Sequence, residues 1–139
     1  MLIRGACHCG NISFELDWLP EPAAIPARRC GCDFCRKHGG VWTACPDGSL
    51  KVSVSRPERV SKYRFGTATA DFHVCAVCGA VPLVSSRIAG RVYAVVSVNA
   101  LDDAPVPVLE PAPASFDGES EAERLARRAR NWIADVSFL

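Results

Sequence analysis

Seven of the eight cysteines in this 139-residue chain fall into three tight groups, and thiols so spaced are the residues most able to do chemistry. Cys30-Gly31-Cys32-Asp33-Phe34-Cys35 places three thiols in six residues and runs straight into Arg36 and Lys37. Cys7-His8-Cys9 stands well before it, and Cys75-Ala76-Val77-Cys78-Gly79 well after it. Thiolates favour soft or borderline metals; four in a tetrahedron close a structural zinc site, whereas three leave a position for water or substrate. Seven clustered thiols divide naturally into four plus three. A C-x-C-x-x-C segment wraps one metal locally, which leaves Cys7, Cys9, Cys75 and Cys78 to form the four-thiolate site. A competing arrangement joins Cys32 and Cys35 to Cys75 and Cys78 as one zinc ribbon and leaves Cys7, Cys9 and Cys30 idle. Another alternative completes the Cys30, Cys32 and Cys35 group as a second structural site with Cys45 or a histidine.

The residues around these thiols each carry two readings. Arg28, Arg29, Arg36 and Lys37 bracket the three-cysteine group, where they neutralise thiolate charge and suit an anionic substrate. Asp33 is either a cap for the turn that follows or a proton acceptor beside an open metal site. Cys45, beside Pro46, reads as a small buried hydrophobe. His8, between two ligands, must point away from their metal, and His38 is close enough in sequence to turn toward the three-thiol group. His73 either orients a ligand or is a strand histidine satisfied by its surroundings.

The composition narrows the class of protein that holds such sites. The length suits one domain with a real hydrophobic core. Apolar residues make up 49% and charged residues 22%, a balance that indicates a folded globular chain rather than a disordered one. The formal charge of +1 argues against a dedicated nucleic-acid or membrane surface. With four thiolates on one Zn²⁺ (net −2) and three on another (net −1), that +1 becomes −2. Met1-Leu2-Ile3-Arg4-Gly5 turns polar too soon for a signal peptide, and no apolar run reaches the length of a membrane span. The expected location is cytoplasmic, where thiol pairs at such close spacing bind metal rather than form disulfides.

Strand patterns dominate the elements that must position the thiols. Ile12 to Trp18 alternates apolar and polar residues, as does Leu50 to Val54, and Arg91 to Val98 is an almost continuous apolar β-rich run suited to a central strand. Shorter strands are predicted through Ala27-Arg28-Arg29, Val41 to Cys45, Tyr63 to Phe65, Ala70 to Val74 and Val81 to Ser85. Cys7 and Cys9 then fall on a turn feeding a strand, and Cys75 and Cys78 on a hairpin knuckle. Prolines forbid regular structure from Pro20 to Pro26 and from Asp102 to Pro113. Ser120-Glu121-Ala122-Glu123 fits a capping box. It opens an amphipathic helix predicted to run from residue 119 to 136, with Leu125, Ala129, Trp132, Ile133 and Val136 inward and Arg124, Arg127, Arg128 and Arg130 on a solvated surface. The expected organisation is a zinc-binding β domain over 1–103, a proline-rich linker over 104–118, and a C-terminal helix over 119–139 packed on the same domain.

The motifs taken together resemble the glutathione-dependent formaldehyde-activating enzyme family, which also includes centromere protein V. The resemblance runs through Gly5-Ala6-Cys7-His8-Cys9-Gly10, Cys30 to Gly39, Tyr63-Arg64-Phe65-Gly66, His73 to Gly79 and Val98-Asn99-Ala100-Leu101-Asp102. It implies a mainly β, Mss4-like fold of twisted, folded sheets with zinc knuckles. It also implies a structural zinc on Cys7, Cys9, Cys75 and Cys78 and a catalytic zinc on Cys30, Cys32 and Cys35. The implied activity is that of a carbon–sulfur lyase of the S-hydroxymethylglutathione synthase type, with glutathione or another small thiol and formaldehyde as partners. Asp33 departs from the serine usual in the family, and the arginine-rich C-terminal segment suggests a subgroup with its own substrate. A non-catalytic, zinc-stabilised binding module is the alternative function.

Overall fold

The computed structural model describes all 139 residues. In chain order the elements are β1 (Leu2–Ala6), β2 (Ile12–Asp17), β3 (Arg28–Cys30), α1 (Asp33–His38), β4 (Val41–Thr43), β5 (Ser49–Val54), β6 (Val60–Tyr63) and β7 (Asp71–Cys75). They continue with β8 (Leu83–Ile88), β9 (Arg91–Ser97), β10 (Leu101–Asp103), β11 (Ala112–Ala114), α2 (Glu121–Asn131) and β12 (Asp135–Phe138). The mainly β expectation holds. The strands form two mixed sheets, one in the order β10-β1-β2-β5-β12 and the other in the order β11-β3-β4-β9-β8-β7-β6.

Period-two patterning sets the interface between the sheets. Ile12, Phe14 and Leu16 of β2 point inward, paired across the strands with Val54, Val52 and Leu50 of β5. They pack in one core with Leu83, Ala94, Val96 and Ile133. The other face of the same central strands supplies Val84 and Val95 to a second core with Cys35, Trp42 and Trp132. The larger sheet is therefore covered on both faces at β8 and β9, which is why the sequence there is a continuous apolar run rather than an alternating one.

Four segments differ from the sequence expectation. β1 was hidden because Arg4 and Gly5 interrupt its apolar pattern, yet Ile3 is wholly buried and Gly5 lies under the Phe14 ring, where an added Cβ would approach Cζ to 2.3 Å. β10 closes the edge of the same sheet beside β1. The proline-rich stretch contains β11, which pairs in parallel with β3; Pro113 tolerates this edge position because it needs no ladder donor there.

The fourth difference is at the C-terminus. The helix does not reach residue 136. It opens on the expected capping box, with Glu123 N–H donating to Ser120 Oγ and Ser120 N–H donating to Glu123. It ends at Asn131, and Trp132 is extended. Ile133 then exchanges two backbone hydrogen bonds with Ala94, of 3.0 and 2.9 Å, and β12 pairs in parallel with β5. Ile133 and Val136 fit a helical face by their spacing of three, but the chain is extended from Trp132 and the open edge of β5 takes up Asp135–Phe138 as a strand. Arg128 is also not on a solvated surface: it is 8% exposed. No helix is long and apolar enough to cross a membrane.

Candidate functional site

The structure gathers the thiols as four plus three. Cys7 follows β1 and Cys9 lies in the turn before β2; Cys75 ends β7 and Cys78 lies in the turn before β8. Their sulfurs all lie within 4.8 Å of one another. The Cys7–Cys9 separation is 3.8 Å and the Cys9–Cys75 separation 3.5 Å. A tetrahedral metal with ~2.3 Å sulfur bonds has ligand–ligand edges of about 3.8 Å, so the donor set fits zinc. Both turns are built alike: Gly10 N–H donates to the Cys7 carbonyl and Gly79 N–H to the Cys75 carbonyl. Gly79 has φ +81°, which a residue with a Cβ adopts only with strain.

The backbone also prepares these sulfurs. Burial raises the Cys7 thiol to about 11, against the hydrogen bond from Ile12 N–H. Burial opposes ionisation of Cys75 as well, but backbone N–H groups of Cys78 and Val77 outweigh it and hold the thiol at about 6.

Cys30, Cys32 and Cys35 form the second group, also within 4.8 Å. The chain leaves β3 at Cys30 and turns into α1, with Cys32 as its cap: Cys32 Sγ accepts the Cys35 N–H at 3.4 Å. Cys35 is 2% exposed, and its sulfur accepts the Trp42 indole N–H at 3.4 Å. The Cys30 thiol is held near 5, chiefly by its interaction with Cys35, and Cys35 is raised by the same interaction and by burial. The zinc-ribbon arrangement does not arise, since Cys32 and Cys35 gather with Cys30. Cys45 belongs to neither group; it is buried and its thiol donates to the Leu19 carbonyl at 3.0 Å.

The three thiols line a cavity of ≈ 140 Å³. Its walls are apolar, with Trp42, Phe65, Phe72, Val84, Val95 and Trp132 among them. Four guanidiniums border it, from Arg28 on β3 and from Arg124, Arg127 and Arg128 on α2. Arg28 is the one flanking cation expected from the sequence that reaches the cavity; Arg29, Arg36 and Lys37 are exposed and outside its lining. Asp33 is likewise at the surface, 87% exposed and bonded to Arg36 at 2.7 Å. Its side chain does not cap α1.

The three histidines stand apart from the thiol groups. His8 is exposed. His38 packs at a tilt against Phe34 with ring centroids 4.4 Å apart, and burial lowers its pKa. His73 is bonded to Ser85 Oγ at 2.8 Å and held neutral, near 4, by burial and by Lys62.

The arginines of α2 were misplaced on the solvent side, although a signal was present. Residues 124, 127 and 128 follow i, i+3, i+4 spacing and share one helical face. An amphipathic reading assigns such a stripe to water, but here it faces the thiol cavity.

A β scaffold joined by a four-thiol knuckle, with a three-thiol group in an apolar cavity, defines a class of protein with one closed and one open cysteine centre. The chain belongs to the glutathione-dependent formaldehyde-activating enzyme family, whose model matches residues 2–116. A Halomonas elongata protein provisionally named as a glutathione-dependent formaldehyde-activating enzyme is 32% identical over 85 residues, 56% of this chain. That match spans about half of the relative's length, 52%. A crystal structure of a Rhodobacter sphaeroides protein is 32% identical, with a TM-score of 0.55 over 76% of this chain and 99% of that one.

Proposed function

We propose that the chain is a zinc-dependent carbon–sulfur lyase of the S-hydroxymethylglutathione synthase type, acting on the formaldehyde adduct of glutathione or another small thiol. The observation that carries this reading is the three-thiol group of Cys30, Cys32 and Cys35, which lines a cavity, whereas the other cluster is a set of four outside it. Cys30, Cys32 and Cys35 would hold zinc, whose chemistry there would be to lower the pKa of a substrate thiol toward neutrality. In the synthetic direction the sulfur lone pair attacks the carbonyl carbon and the C–S bond forms. The carbonyl π pair moves to oxygen, which takes up the proton that the thiol released; cleavage is the reverse.

The chain's own residues make this centre directional. Trp42 N–H and the first turn of α1 stabilise the sulfurs from the protein side, while the apolar walls exclude water from the other. Formaldehyde and thiols also combine without help, so acceleration is the relevant quantity. Exchange NMR between formaldehyde and glutathione is expected to show faster exchange than buffer with the wild-type protein, and no excess with Cys35→Ser. Exchange no faster than in buffer across glutathione and small-thiol substrates contradicts the assignment and favours a binding module.

A further inference from the structure

Four guanidiniums border the thiol cavity, and their partners are unevenly shared. Glu119 takes Arg127 through two bonds, of 2.9 and 3.1 Å, and Arg124 through one of 3.4 Å. Arg127 is further fixed by stacking on Phe116, its guanidinium carbon 3.6 Å from the ring centroid. These two cations are satisfied. Neither Arg28 nor Arg128 enters any of the salt bridges. Asp117, the one carboxylate lining the cavity, is exposed and also enters no salt bridge.

Arg128 is the more unusual of the two. It is 8% exposed and lies over the Trp132 ring at 5.0 Å. Its Nη1 donates to the hydroxyls of Thr69 at 2.8 Å and Ser86 at 3.2 Å, neither of them charged. Its Nε is buried with no acceptor. A buried guanidinium with neutral partners and an idle donor is costly unless an anion joins it. Burial, then Arg127 and Arg124, lower its pKa to about 10, so it is charged at neutral pH.

The cavity around that charge also offers apolar surface: beyond the three thiols, nine of the 19 lining residues are hydrophobic, five of them aromatic. The α2 arginines and Trp132 also lie in the C-terminal segment, beyond the residues 2–116 that match the family model.

We propose that Arg128, assisted by Arg28, binds a carboxylate of the substrate, and that the thiol this protein works on is a monocarboxylate with an apolar, aromatic-compatible body. The inference rests on the lyase reading for the sulfur end of the ligand, at Cys30, Cys32 and Cys35, and adds the recognition of the other end. An aryl or branched-alkyl mercapto-acid offers one carboxylate to the guanidinium, a hydrophobic middle to Trp132, Phe72 and Phe65, and a sulfur to the thiol centre, whereas the ammonium of a zwitterionic tripeptide meets four cations and, in the lining, the single exposed carboxylate of Asp117. Arg128 is thus a specificity-determining residue.

The test uses thiol-free probes, so that it reads recognition without the reaction. Binding of 4-phenylbutanoate, its neutral primary amide and glutathione, the last used as its S-methyl thioether, is measured by calorimetry and by the fluorescence of the tryptophans. The full chain is compared with Arg128→Gln, Arg28→Gln and Cys30→Ser. The acid is expected to bind at least about tenfold tighter than the amide, and tighter than glutathione, with the preference lost in Arg128→Gln and retained in Cys30→Ser. If Arg128→Gln does not fold, the wild-type acid–amide comparison and Arg28→Gln, expected to weaken the acid alone, carry the decision. Equal binding of acid and amide overturns the carboxylate site, and tighter binding of glutathione than of the acid overturns the apolar body. Formaldehyde exchange that is accelerated without an acid preference sinks this inference alone; an acid preference without acceleration sinks the lyase reading alone.

Discussion

The Trp42 indole and the Cys35 thiol show most directly how single side chains make the three-thiol group more than a sequence motif. A buried sulfur that accepts an N–H is better able to carry negative charge than one facing hydrocarbon alone. Trp42→Phe keeps the ring in place between Cys35 and Phe72 while removing that donor. A hydrogen bond to a charged group contributes about 1.5–3 kcal/mol, so the substitution is expected to weaken metal binding at this centre by roughly tenfold or more. Competition with a chelator measures it, and circular dichroism checks that the fold is unchanged. An affinity equal to wild type would show that the indole N–H gives the centre nothing.

At the scale of elements, the sequence revealed the donors better than it revealed what surrounds them. The cysteine spacings located both knuckles, and the capping box located the start of α2, because these patterns are local and their geometry follows from a few consecutive residues. The end of α2 was not legible, because Ile133 and Val136 continue the helical spacing and only the unpartnered edge of β5, distant in sequence, draws Asp135–Phe138 into a strand. The burial of Arg128 was hidden for a related reason: a guanidinium can be placed inside only when the hydroxyls of Thr69 and Ser86, more than 40 residues away, are already there to meet it. Asp33 shows the converse, a residue lying between two of the clustered thiols in sequence whose carboxylate turns to the surface.

Glu119, just before α2, pairs with two of the helix's own cavity-lining arginines and gives the element a pH dependence. Its hydrogen bonds from Arg127 lower its pKa below the ordinary 4.5. A carboxyl with a depressed folded pKa adds stability that is complete above the unfolded value and is lost as pH falls through the folded one. Acid unfolding of the wild type is therefore expected to steepen below about pH 4.5, and Glu119→Gln to lack that contribution while being less stable at pH 7 by on the order of 1 kcal/mol. Equal acid limbs for the two proteins would contradict the pairing.

On the scale of the whole molecule, the segment after α2 is part of the core rather than an appendage. Ile133 is wholly buried with Leu16, Leu83 and Val96, and its backbone is laddered to Ala94. Ile133→Ala is expected to cost about 2–5 kcal/mol, the range for a large-to-small change in a packed core, as read from denaturant midpoints at unchanged slope. A cost within about 0.5 kcal/mol, typical of a surface position, would return these residues to the status of a tail. This closure of β12 on β5 also explains how α2 is held over the cavity: it is anchored by its capping box at one end and by a strand at the other.

The central claim is a division of labour, in which Cys7, Cys9, Cys75 and Cys78 hold the fold together and Cys30, Cys32 and Cys35 hold a working metal. Zinc content per chain, measured on reduced, zinc-equilibrated protein together with its unfolding transition, tests this most directly. The account predicts two equivalents in the wild type, one in Cys30→Ser with cooperative unfolding preserved, and loss of the cooperative fold in Cys75→Ser. A single equivalent in the wild type, or unfolding of Cys30→Ser, would contradict it.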